Sequence, residues 1–123
     1  MKDYLYKELT YQIIGAAMEV HKILGSGFLE SVYEEAFVVE LKNQNIPFEQ
    51  QKKFVVDYKG VNIKESIGDL VVDGKVIVEL KAIKQIGDIE RAQLLNYLNV
   101  TKLKLGLLMN FGGKSLEYER IIK

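Results

Sequence analysis

The sequence predicts one α/β domain in which a central mixed β-sheet is flanked by helices. Three observations carry that prediction. The residues before Pro47 place apolar side chains at helical spacing, and after Pro47 the period shortens to the two residues of a strand. Two near-continuous apolar runs, Ile67 to Val72 and Val76 to Leu80, read as central strands covered on both faces. The 123 residues, 48% hydrophobic and 28% charged, supply one core, so the domain is taken as 1–123 without linker or repeat.

The elements follow in order. Ile13, Ile14, Ala17, Met18, His21 and Leu24 form one stripe of a helix over about 3–24, which Gly25-Ser26-Gly27 ends. A second helix over about 29–44 has Leu29, Val32, Ala36 and Val39 on its apolar side, flanked by Tyr33 and Phe37, and Asn45-Ile46-Pro47 stops it. Phe54 to Tyr58 and Val61 to Ile63, joined by Lys59-Gly60, read as a hairpin. Asp73-Gly74 turns the chain between the two apolar runs. A third helix over about 88–99 uses Ile89, Ala92 and Leu95, with Gln93 and Tyr97 one turn apart. Strands over 103–111 and 116–122, separated by Gly112-Gly113, complete the order ααβββαββ.

Composition excludes several classes. No apolar run approaches the ~20 residues that cross a bilayer, and charges occupy the first eight residues where a signal peptide is apolar. With no cysteine and one histidine, disulfides, iron–sulfur clusters and multi-histidine metal sites within the chain are ruled out. A cytoplasmic protein that does not enter membranes is the expectation. Seventeen basic and seventeen acidic residues cancel, which argues against nucleic-acid binding by bulk charge. The bases lean toward residues 51–123, so a locally basic face stays open.

Chemistry concentrates at Glu79-Leu80-Lys81. Charged residues inside an apolar strand need a partner or a change of protonation, and positions i and i+2 project from the same face. Asp69, across the Asp73-Gly74 turn, is also embedded in apolar sequence. A two-residue loop at 73–74 would set Asp69 opposite Val78, with its carboxylate turned away from Glu79. A three-residue loop at 73–75 sets Asp69 opposite Glu79, and that register is the one expected. Two adjacent carboxylates repel unless a divalent cation lies between them. Oxygen ligands completed by water and phosphate suit Mg²⁺ or Mn²⁺, and metal-assisted phosphodiester hydrolysis is the chemistry that follows. Lys81 would orient the attacking water or stabilise developing negative charge. The competing reading is a structural Asp/Lys/Glu ion-pair cluster.

Asp69 followed by Glu79-Leu80-Lys81 resembles the D-x(n)-[D/E]-x-K signature of the PD-(D/E)xK nuclease superfamily, whose fold is restriction-endonuclease-like. Gly27-Phe28-Leu29-Glu30-Ser31-Val32-Tyr33 resembles the motif that names the GxxExxY protein family, inside a longer similar run from Glu19. Further likeness covers Gly68 to Val72, Val78 to Ala82, Ala92 to Leu98 and Leu105 to Phe111. The resemblance implies a nuclease-like domain with an αβββαβ core. It makes Asp69 and Glu79 metal ligands joined by Glu30, with Lys81, Gln93 and Glu30 in catalytic positions and Tyr33 and Tyr97 supporting them. One departure is Gly68, where the superfamily name has proline.

Each residue also has a plain role. Glu30 is a first-turn acid that the helix dipole favours. Tyr33 packs, with its hydroxyl orienting a carboxylate, and Glu34 on the same face is a solvated partner for a lysine. His21 is a satisfied, half-buried histidine. Lys84, Arg91, Lys102 and Lys104 could line a phosphate path near the strand ends. The expected function is a divalent-metal-dependent nuclease acting on DNA rather than RNA, with the edge of the last strand available for homodimer formation. A catalytically silent binding or regulatory module on the same fold is the alternative.

Overall fold

Five strands separate the second helix from the third, one more than the four runs read as strands from the sequence. In this computed structural model, which describes residues 5–123, helices α1 (Lys7–Leu24) and α2 (Glu30–Asn43) come first. Strands β1 (Phe48–Gln50), β2 (Lys53–Tyr58), β3 (Val61–Ser66), β4 (Leu70–Val72) and β5 (Val76–Lys81) follow, then α3 (Asp88–Thr101), β6 (Leu105–Asn110) and β7 (Glu117–Ile122). The main sheet has the order β1-β4-β5-β6-β7, with β5 and β6 parallel and the remaining pairs antiparallel. β2 and β3 form a separate hairpin. The sequence pattern misses β1 because three residues, one half-buried and two exposed, carry no alternation to read. The start expected at residue 3 for the first helix lies outside the described residues.

β4 is shorter than the apolar run 67–72 suggests. Gly68 takes φ 39°, which takes the chain out of extended geometry just before the strand. Beyond the strand, residues 73–75 make the turn, Asp73 in the left-handed region at φ 53° and Lys75 donating its N–H to the Val72 carbonyl. The pairings Leu70–Val78, Val71–Ile77 and Val72–Val76 therefore give the three-residue register expected from the sequence.

Helices cover both faces of the sheet. From β5, Val76, Val78 and Leu80 pack under α1 and α2 against Ile13, Ala17, Val20, Phe37 and Leu41. Ile77 of β5 and Leu108 of β6 face the other way, under Leu94 and Leu98 of α3. Burial of each such leucine contributes on the order of 1.5–3 kcal/mol. Gly106 permits the close approach of α3, since a Cβ there would lie 2.7 Å from the Leu94 side chain.

The α1 stripe holds except at Met18, whereas α2 and α3 are rotated from the phase their apolar stripes suggest. Thr10, Ile13, Ala16, Ala17, Val20 and His21 are buried on α1, whereas Met18 is exposed. On α2 the residues read as flanking, Tyr33 and Phe37, are the core together with Leu41: the three recur every four positions and are fully buried, while Leu29, Val32 and Val39 face outward. On α3 Leu94 and Leu98 replace Ile89 and Leu95, both of which are exposed. That rotation turns Gln93 and Tyr97 toward the strand ends.

Candidate active site

Asp69 enters β4 from the kink at Gly68, and its Oδ2 accepts the backbone N–H of Leu80 at 2.6 Å. This bond crosses to β5 and fixes the carboxylate between Leu80 and Glu79. Glu79 is 4% exposed and points to the α3 face, with Lys81 two residues on. The Asp69 and Glu79 carboxyl groups lie close enough for each to shift the ionisation of the other. Burial, then repulsion from Asp69, pushes Glu79 up to about 8 against the attraction of Lys81. Burial also raises Asp69, opposed by the Leu80 N–H and reinforced by the charges of Glu34 and Glu30. Two buried acids that resist ionisation in each other's presence are poised to accept a cation.

α2 and α3 complete the surroundings. Glu30, at the first position of α2, accepts the Ala82 N–H on Oε2 at 3.4 Å, just past the end of β5. The Lys81 ammonium donates to Gln93 Oε1 at 3.4 Å. Tyr97 lies one turn beyond Gln93 with its ring edge-on to Phe54 at 5.9 Å, and burial, then the charge of Glu79, holds its hydroxyl above the usual phenol range. Glu30, Asp69, Glu79, Lys81, Gln93 and Tyr97, singled out from sequence, are thus brought together at the C-terminal end of β5. A fitted family model describing the PD-(D/E)XK nuclease superfamily matches residues 7–121, almost the whole chain.

The chain belongs to the PD-(D/E)XK nuclease superfamily. Comparison with solved structures agrees on the fold. The crystal structure of SSO0001 superposes with a TM-score of 0.59 at 18% identity, over 76% of this chain and 50% of that one, so this chain spans half its length. Three helices around a five-stranded mixed sheet, with a small second sheet, make this the restriction-endonuclease-like α/β fold. Comparison with curated proteins returns no match.

Superfamily members carry divalent metals, and the donor set here fits one. Asp69 and Glu79 offer hard oxygen ligands only, and Mg²⁺ or Mn²⁺ bound by two carboxylates keeps several waters. Among the described residues no three Asp, Glu or His side chains form a ready cage, so Glu30 stands outside the Asp69–Glu79 pair in this conformation. Gly68 explains the missing proline of the superfamily name. Its φ of 39° is closed to proline, and a Cβ would come within 3.3 Å of Glu79 Cδ and of Ile77 Cγ2. Gly68→Ala is therefore expected to displace the Glu79 carboxyl and weaken Mn²⁺ binding about ten-fold, read by calorimetry.

Tyr33 serves the site differently from expectation. Its hydroxyl donates to the Gly25 carbonyl at 2.6 Å and accepts the Phe28 N–H at 3.2 Å, and its ring stacks on Phe111 at 4.5 Å. No carboxylate is involved: the tyrosine clamps the 25–28 loop so that α2 starts at Glu30, which gives the Gly27–Glu30–Tyr33 spacing a physical reason. His21 is a satisfied core histidine, with Nε2 2.9 Å from the Gly113 carbonyl. Glu34 takes a hydrogen bond from Gln50 Nε2 at 2.9 Å rather than from a lysine.

The basic path does not form as expected. Arg91 gives Nε and Nη2 to Glu119 at 2.6 and 2.9 Å and Nη1 to Asp88 at 2.9 Å, which commits its guanidinium to two carboxylates. Lys102 caps the C-terminus of α3, and Lys104 precedes β6 where Leu105 pairs with Val76. Lys81 pairs with Asn110 at the opposite end, roughly 16 Å along the strand. Lys84, exposed in the loop after β5, is the one of the four at the end where Lys81 and Glu79 lie.

Asn110 is the positioning residue that the sequence reading missed. It is fully buried, accepts the N–H groups of Ile83 and Gly112 on Oδ1, and donates from Nδ2 to the Ile83 carbonyl and Glu117 Oε1. Glu117 Oε1 also accepts the Ile86 N–H. The loop following Lys81 is thereby tied to the ends of β6 and β7. The available signal was an amide closing the apolar run Leu105-Gly106-Leu107-Leu108-Met109, which demands a full set of partners.

Proposed function

We propose that the chain is a divalent-metal-dependent nuclease that hydrolyses phosphodiester bonds, in DNA rather than RNA, and that it belongs to the GxxExxY branch. The observation that carries this reading is the buried Asp69–Glu79 pair with Lys81 on the same strand face. When bound, Mg²⁺ or Mn²⁺ supplies Lewis-acid polarisation of a phosphate and acidification of water. Asp69 and Glu79 would hold it, Asp69 being oriented by the Leu80 N–H. The Lys81 ammonium, steered by Gln93 Oε1, would stabilise charge developing on the phosphate oxygens, and the Gln93 amide would position the attacking water. Glu30, at the rim beside Ala82, would accept a proton or bind water. Support for the branch comes from the Tyr33 clamp that sets Glu30, and support for homodimer formation from the outer edge of β7, where Tyr118 and Ile122 are exposed.

Incubation with Mn²⁺ and either supercoiled plasmid or single-stranded circular DNA tests the reading. Chelator-sensitive strand cleavage, reduced at least 100-fold in Lys81→Met, is the expected result. Intact DNA together with no heat of Mn²⁺ binding would favour the silent module.

A further inference from the structure

The β2–β3 hairpin stands apart from the main sheet and leaves a groove of about 520 Å³ between itself and α3. Phe54 and Ile63 line it from the hairpin, Tyr97 and Val100 from the helix, and the amides of Gln93 and Asn96 offer both donors and acceptors. The groove continues into the candidate active site, because Gln93 receives the Lys81 hydrogen bond and Tyr97 lies within electrostatic reach of Glu79 and Asp69. Its own charged lining, Lys64 and Glu65, cancels.

A duplex is held mainly through lysines and arginines on its phosphates, and few are available here. Arg91 is engaged by Glu119 and Asp88, Lys102 and Lys104 lie at the far end of the sheet, Lys84 is the one of these four exposed near the site, and Glu30 and Glu34 add negative charge around the carboxylate pair. What the groove offers instead is apolar and aromatic surface with amide groups beside it, which matches a base: flat and stackable on its faces, hydrogen-bonding at its edges. We propose that this groove holds an unpaired nucleobase adjoining the scissile phosphate, stacked on Tyr97, and that the substrate is single-stranded or locally unpaired nucleic acid. The proposal rests on the nuclease reading of the neighbouring site.

The test separates base binding from cleavage. The full chain carrying Asp69→Asn and Glu79→Gln lacks the charges and the metal-binding oxygens of the carboxylate pair, so binding is read apart from cleavage. Titrated with a single-stranded oligonucleotide containing 2-aminopurine, it is expected to quench the probe and to bind at least ten-fold tighter than it binds the same sequence as a duplex. Adding Tyr97→Ala weakens single-strand binding about ten-fold, whereas Tyr97→Phe preserves it. Equal affinity for the two forms, or indifference to Tyr97→Ala, overturns the proposal. Strand-selective binding by a chain whose wild type cleaves nothing in Mn²⁺ would keep the groove and reject the nuclease. Cleavage by the wild type without strand preference would do the reverse.

Discussion

Asp69→Asn is expected to abolish metal-dependent cleavage, by at least 100-fold, while raising the melting temperature of the metal-free protein by a few degrees. The opposite signs come from one cause. Asparagine keeps an oxygen for the Leu80 N–H, so the bond that joins Asp69 to β5 survives. The charge that burial disfavours and that Glu34 and Glu30 repel is removed, so the apo fold gains stability. That same charge is what a cation needs. A structural ion-pair cluster makes the opposite prediction, because loss of Asp69 would weaken the set of charges that balances Lys81 and the fold would melt earlier. Thermal melts and a strand-cleavage assay on the one variant decide the matter. A lower melting temperature with cleavage retained would sink the metal reading.

How far the site was legible follows from where its information lies. Asp69, Glu79 and Lys81 could be placed because strand periodicity and loop length together determine facing, and a three-residue turn leaves one register. Glu30, Gln93 and Tyr97 came from resemblance, and the structure brings them near the carboxylates for reasons of helix placement that no local pattern contains. The phases of α2 and α3 are not legible because apolar residues stand on more than one side of each helix. A stripe such as Ile89, Ala92 and Leu95 competes with Leu94 and Leu98, and only the Gly106 notch under Leu94 decides between them. Arg91 was misassigned because its partner Glu119 lies on β7, 28 positions away and across the sheet from the helix. Asn110 was missed for the same reason: its bonds close a loop whose path the sequence does not display.

The pH dependence of stability offers the second large effect. In the unfolded chain Glu79 titrates near its ordinary 4.5, whereas the fold raises it to about 8. The native state therefore binds this proton more tightly than the unfolded state. Its contribution is complete below pH 4.5 and is lost progressively as pH climbs to about 8. Asp69 shifts in the same direction and adds to the trend. Other groups titrate over this range, so the informative quantity is the difference from Glu79→Gln, which cannot ionise. The two proteins should melt together near pH 4.5, and the variant should become steadily the more stable toward pH 8. Divalent metal must reverse that order, because it binds the ionised pair and displaces the proton. Mn²⁺ affinity for the wild type should rise about ten-fold per pH unit below 8 and level off above it, while Glu79→Gln gains little from metal at any pH. A wild type that tracks the variant across the whole range would mean that Glu79 ionises freely in the fold. The pair would then exert no pull on a cation beyond that of two solvated carboxylates.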